Sequence, residues 1–244
     1  MTQHSTRTEN FLGKSWFSQM LAPTTTMPDL KAILFDLDGT LIDSIADIAN
    51  SGNRMLEELG HPTHEQDAYL HFIGDGAKAL VERALPKAEA EDQDSLSAAL
   101  KLYLDIYAEH WHDETRPYEG ISEALTHFSE RGIKLAVLSN KPHVSTQACA
   151  EQFFPAGTFD VVFGQREGIP HKPAPDGALE ILSELGLEPA DCAYVGDSGV
   201  DMQTAKSGGL LAVAALWGFR SEKELRSSGG QVFLQSPHDL TELS

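Results

Sequence analysis

Apolar positions in this chain fall in short runs that stop abruptly at polar residues. Lys31 to Phe35 is one such run, and it ends in Asp36-Leu37-Asp38-Gly39-Thr40. Similar runs recur at Leu135–Leu138, Val161–Phe163, Ala193–Val195 and Leu210–Leu216. Runs of this length without polar alternation read as strands buried on both faces, and the longer segments between the later ones read as helices and loops. Strands alternating with helices predict an α/β fold, a Rossmann-like parallel sheet with helices on both faces.

One stretch breaks the alternation. From Ser44 to about Trp111 no strand is predicted. Ile45, Ile48, Ala49, Leu56 and Leu59 share one helical face, Ser44 followed by Asp47 reads as a capping box, and Gly60 with Pro62 stops the helix. Gly74–Leu85 and Leu96–Trp111 predict further helices. Residues 29–43 and 113–244 therefore form the α/β core, and residues 44–112 an inserted all-helical cap with hinges near Asp43–Ser44 and His112–Pro117. Residues 1–28 are a leader with two open readings. Phe11, Leu12, Trp16, Phe17, Met20 and Leu21 would share a helical face suited to docking or dimerisation; alternatively the leader is disordered, with Met27 the true start.

Charge narrows the partners. Lysines and arginines number 18 against 37 acidic residues, a formal net charge of -19. Such a surface repels phosphate backbones at long range, which argues against nucleic acid and anionic membranes. A small phosphorylated metabolite stays admissible, because a local cation and a lysine outweigh the global field. Two cysteines, Cys149 and Cys192, are too few for a disulfide framework and suit a reducing cytoplasm. No apolar run spans a bilayer, and the leader lacks the pattern of a signal peptide. A monomer and a homodimer are both open. His110 with His112, and His61 with His64, lack zinc spacing.

In open parallel sheets ligands bind beyond the carboxyl ends of the strands. The first strand ends in Asp36 and Asp38, the next in Ser139 and Asn140. Lys172 lies in the loop beyond the third, and the fourth ends in Asp197, with Asp201 shortly after. Carboxylates are hard oxygen ligands that suit Mg²⁺, and a carboxylate can attack phosphorus. A lysine and a hydroxyl then neutralise and hydrogen-bond the transferring oxygens.

These segments resemble the haloacid-dehalogenase-like superfamily. Asp36-Leu37-Asp38-Gly39-Thr40 followed by Leu41-Ile42-Asp43-Ser44 is similar to its first motif, Ser139-Asn140 to its second, Lys172-Pro173 to its third, and Gly196-Asp197-Ser198 with Asp201 to its fourth. The resemblance covers roughly Leu30 to Phe219. It implies that Asp36 is the nucleophile and a magnesium ligand, and that Asp38 is the general acid/base and offers its backbone carbonyl to the metal. It implies Asp197 as a third ligand and Asp201 as steadying the metal's waters or Lys172. Thr40, Ser139, Asn140 and Lys172 would meet the substrate phosphate. Asp38 separates phosphatases and phosphomutases from the family's dehalogenases, which lack this acid.

The position of the cap resembles the helical-cap subclass. Phe72-Ile73-Gly74-Asp75-Gly76-Ala77, Glu82-Arg83-Ala84-Leu85 and Leu216-Trp217-Gly218-Phe219 are similar to segments of phosphoglycolate phosphatases. This adds Gly74 and Gly76 as backbone contacts to substrate; starting a helix is their plainer reading. His143, Arg83 and Lys78 are further candidates for a substrate anion. The expectation is a magnesium-dependent phosphatase acting on a small monoester, with 2-phosphoglycolate the leading substrate. A phosphomutase or a pyrophosphatase on the same core, and a non-catalytic binding module, are the alternatives.

Overall fold

The computed structural model describes residues 29–244, so the readings offered for residues 1–28, including the Met27 start, lie outside the described residues. Strand β1 (Ala32–Phe35) opens the fold, followed by the short strand β2 (Ile42–Asp43). Five helices come next: α1 (Ile45–Glu58), α2 (Gln66–Phe72), α3 (Ala77–Ala84), α4 (Lys87–Glu91) and α5 (Gln93–His110). Strand β3 (Arg116–Pro117) pairs antiparallel with β2, and α6 (Ile121–Glu130) leads into β4 (Lys134–Pro142). Then come α7 (His143–Phe153), β5 (Val161–Gln165), α8 (Asp176–Leu185), β6 (Cys192–Gly196), α9 (Gly199–Gly208), β7 (Leu211–Ala215), α10 (Glu222–Ser227) and β8 (Val232–Leu234).

The main sheet runs β5-β4-β1-β6-β7-β8, with every neighbouring pair parallel. All five apolar runs lie in it. Strand β8 (Val232–Leu234) is an addition at the sheet edge that was not among those runs.

Strand β1 sits at the centre, paired to β4 on one side and β6 on the other. Ile33 and Phe35 pack into a layer with Ile121, Leu125 and Phe128 of α6. Ala32 and Leu34 face the opposite layer, with Ala178 and Ile181 of α8 and Met202 and Ala205 of α9. A strand covered on both faces must be apolar throughout, which is why the run is unbroken. The chain moves outward from β1 through β4 to β5, then returns to β6 on the far side. This reversal opens a crevice at the carboxyl end of β1.

Helices α1 to α5 bury a separate cluster that includes Ile48, Met55 and Leu56 of α1, Tyr69 of α2, Leu80 and Val81 of α3, and Tyr103 and Tyr107 of α5. The β2–β3 ribbon stands where the chain enters and leaves this insert. The expected capping box at the start of α1 does not form. Ser44 Oγ donates to Asp38 instead, and the buried Asp47 carboxylate accepts from the Glu114 and Thr115 amides and the Thr115 hydroxyl. Three donors from the returning chain satisfy Asp47 more fully than one cap amide would. Leu59 also departs from its expected place: α1 ends at Glu58, and Leu59 is 37% exposed. Among the described residues no helix is long and apolar enough to cross a membrane.

Candidate active site

Asp36 follows the last residue of β1 directly, so its side chain enters the crevice between the ends of β4 and β6. It lines a cavity together with Asp38, Ser139, Asn140, Lys141, Lys172 and Asp197 from the core. The insert closes the other side with Ile48, Ile73, Gly74, Leu80, Tyr103 and Tyr107. Loops at the ends of several strands and one helical insert thus converge on a single space.

One carboxylate oxygen from each of Asp36, Asp197 and Asp201 lies within 4.8 Å of the others. Lys172 Nζ stands 2.9 Å from Asp36 Oδ1 and donates to Asp201 Oδ1 at 2.7 Å. It is also 3.0 Å from the Tyr194 hydroxyl. Burial pulls the Lys172 ammonium down, but the Asp201 and Asp36 charges outweigh it and hold the group well above its usual range. Asp36 is buried, and desolvation together with the Asp201 charge pushes its pKa from 3.8 up to about 7. Burial and the same Asp201 charge also drive Asp197 well above the carboxylate range.

Each carboxylate is held by different partners. Asp197 accepts from Thr40 Oγ1 at 3.1 Å and from the Phe219 amide at 2.8 Å. Asp201 turns its other oxygen to the Ser198 amide and hydroxyl, so it caps α9 while gripping Lys172. Asp36 Oδ1 has no aligned hydrogen bond despite its proximity to Lys172. A buried carboxylate oxygen so placed, beside two further carboxylates and one ammonium, is an arrangement that a divalent cation would complete. The oxygen-only donor set suits Mg²⁺.

Of the expected substrate contacts, Thr40 lies outside the cavity lining, and Ser139, Asn140, Lys172, Gly74 and Gly76 border it. Thr40 is fully buried, does not line the cavity, and spends its hydroxyl on Asp197. Asn140 lines the cavity, but its side-chain amide donates to the Gly74 and Lys172 carbonyls and its oxygen accepts from the Lys172 amide. It ties the lysine loop to the insert. Ser139 lines the cavity and accepts from the Lys141 amide at 3.2 Å. Gly74 and Gly76 border the cavity with φ of 111° and 90°, conformations that side chains resist, and Gly76 precedes the first residue of α3. His143 accepts from the Gly164 amide, Arg83 pairs with Asp75 and the Phe72 carbonyl, and neither lines the cavity.

Lys141 is the main residue that the sequence reading missed. It is buried, donates to both oxygens of Asp38 at 2.9 and 3.1 Å, and reaches the Tyr107 hydroxyl at 2.6 Å. Its place directly after Ser139-Asn140 is a usable signal, since a lysine near the end of a strand with a buried interior needs a buried partner. Phe219 and Arg220 also line the cavity, and Arg220 donates to the Ile73 carbonyl of the insert at 2.8 Å.

The sequence pattern of the family described as "Haloacid dehalogenase-like hydrolase" matches residues 33–215. A phosphoglycolate phosphatase of Pseudomonas putida is 36% identical over 197 residues, 80% of this chain and 71% of its own length. One from Aquifex aeolicus is 34% identical over 218 residues, 88% of this chain and 96% of its own. A solved structure from Lactobacillus delbrueckii subsp. bulgaricus, provisionally named a phosphoglycolate phosphatase, superposes with a TM-score of 0.82. It is 33% identical and covers 88% of this chain and 98% of its own.

Proposed function

This chain belongs to the haloacid dehalogenase-like hydrolases, and from that premise we propose that it is a phosphatase that hydrolyses a small phosphate monoester through Asp36. The observation that carries the reading is the Asp36 carboxylate, which faces the cavity with one oxygen free of aligned hydrogen bonds and Lys172 beside it. The relatives named phosphoglycolate phosphatase favour 2-phosphoglycolate as the substrate.

In this mechanism Asp36 attacks phosphorus in line, and the bond from phosphorus to the ester oxygen breaks as an aspartyl-phosphate forms. Asp38 gives its proton to the departing alcohol. Asp38 then takes a proton from a water, whose oxygen attacks phosphorus and releases Asp36 and inorganic phosphate. Lys172 faces the charge carried by the transferring oxygens, and Ser139 supplies a hydroxyl to one of them. Asp36, Asp197 and the Asp38 backbone carbonyl would hold Mg²⁺, with Asp201 acting beside them through Lys172. Bound there, the cation would neutralise charge on the phosphoryl oxygens. The insert, acting as a cap, would exclude bulk water from the aspartyl-phosphate.

The cavity is closed on the insert side by apolar and tyrosine side chains, which suits a small metabolite rather than a polymer. Neither nucleic acid nor a membrane is part of this reading, the setting is cytoplasmic, and the working unit is a monomer or a homodimer. The test is phosphate release from a panel of small phosphate esters including 2-phosphoglycolate, in Mg²⁺ and in chelator, with Asp36→Asn as control. Magnesium-dependent release concentrated on 2-phosphoglycolate and lost in Asp36→Asn is expected. Release spread evenly over other esters discards the substrate; isomerised sugar phosphate without free phosphate discards hydrolysis in favour of a mutase.

A further inference from the structure

The Lys141 side chain is only 6% exposed, and its partners come from both halves of the molecule. Asp38 belongs to the loop after β1, Lys141 to β4, and Tyr107 to α5 of the insert. An ammonium has three protons to place, and here the carboxylate and the phenol take them. The Tyr107 ring stacks on Tyr103, with centroids 5.8 Å apart and planes at 14°. A packed pair of rings therefore presents the hydroxyl. Ser44, which precedes α1, adds a 2.6 Å hydrogen bond to Asp38 Oδ1. Moving α5 away from the core would strip the phenol from Lys141 and admit water in its place, leaving Asp38 as the ammonium's remaining side-chain partner.

We propose that Lys141 is a positioning residue for Asp38, and that Tyr107 makes this positioning conditional on α5 being seated over the crevice. The inference rests on the phosphatase reading above. It explains why a core lysine that touches neither Asp36 nor the Asp197–Asp201 cluster is buried at the cavity wall. It also gives the insert a chemical role beyond excluding water, because the geometry of the acid/base group depends on where α5 lies.

The test measures kcat and KM with Mg²⁺ for 2-phosphoglycolate and for p-nitrophenyl phosphate. The variants are Lys141→Met, Tyr107→Phe, Asp38→Asn and the two double variants with Asp38→Asn. Lys141→Met is expected to lower kcat on the alkyl ester on the order of 10²-fold, within the span of a placed acid/base group. The aryl ester, whose leaving group needs little protonation, loses less. In the Asp38→Asn background the same replacement costs less than about threefold more, because residues that act as a unit are not additive. Tyr107→Phe keeps the ring and its stacking, so it guards against misfolding; its expected kcat loss is about 3–10-fold, and absent once Asp38 is replaced.

Losses that multiply across the double variants overturn the proposal. So does a loss confined to KM, which would make Lys141 a direct binder of the substrate anion. A wild-type enzyme inert toward every ester overturns the phosphatase reading itself, and this inference with it.

Discussion

The backbone amide of Phe219 donates a 2.8 Å hydrogen bond to Asp197 Oδ2, so the loop after β7 holds a carboxylate that stands at the end of β6. The approach is close because Gly218 precedes Phe219. A Cβ on Gly218 would lie 2.2 Å from Asp197 Cβ and 2.4 Å from the Gly39 carbonyl oxygen. A methyl group there would overlap both atoms.

Gly218→Ala therefore displaces Asp197 or the loop. We expect a stability loss of about 1–3 kcal/mol, as for overpacked cores. Activity is expected to fall at least tenfold at a fixed Mg²⁺ concentration, with partial recovery as Mg²⁺ is raised. Thermal melting and a Mg²⁺ titration of activity check both; a variant with wild-type melting and wild-type Mg²⁺ dependence would show that Asp197 does not need this loop.

The raised pKa of Asp36 sets a sign for stability against pH in the metal-free protein. The unfolded chain releases this proton near 3.8, whereas the folded chain holds it until about 7. Between those values the folded state binds more protons, so this group costs stability progressively as pH rises from about 4 to 7. Asp36→Asn removes the charge and with it the cost. In chelator the variant should melt above wild type, by a wider margin at pH 8 than at pH 5. Equal margins at the two pH values would mean that the Asp36 charge is not destabilising.

Asp47 ties α1 to the chain that leaves the insert, with both oxygens accepting from residues 114 and 115. Asp47→Asn replaces one acceptor oxygen with a donor and sets it against those donors. We expect a destabilisation of about 1–3 kcal/mol, the cost of unsatisfied buried groups. Faster amide hydrogen exchange should concentrate at Glu114 and Thr115. Unchanged exchange there would mean that the ribbon and the α1 packing hold the return crossing without this carboxylate.

Much of the candidate site is legible in the sequence for a local reason. A strand buried on both faces is an apolar run, and its end is marked by the first polar residue. The position of Asp36 after Phe35, and of Asp197 after Gly196, follows from that alone. Ordering the strands is a different matter. Asp36 and Asp197 share a crevice because β6 pairs with β1 rather than with β5, which precedes it in the chain.

The residues that sequence reasoning misplaced are those with non-local partners. Ser44 and Asp47 match a capping pattern, yet Ser44 turns to Asp38 and Asp47 binds residues 67 and 68 positions away. Thr40 follows the two aspartates like a substrate contact, but its partner Asp197 lies 157 positions on.

The sequence by itself determined which apolar runs become central strands, the helical character of the insert and the chemical types gathered at the crevice, because burial and periodicity act over a few residues. The tertiary structure decided which carboxylate each donor serves. The Lys141–Asp38 contact spans 103 positions and the Lys141–Tyr107 contact 34, and no local period encodes either. Such pairings exist only once the sheet has ordered its strands and the insert has settled over their ends, where a buried charge must find whatever partner the packing brings to it.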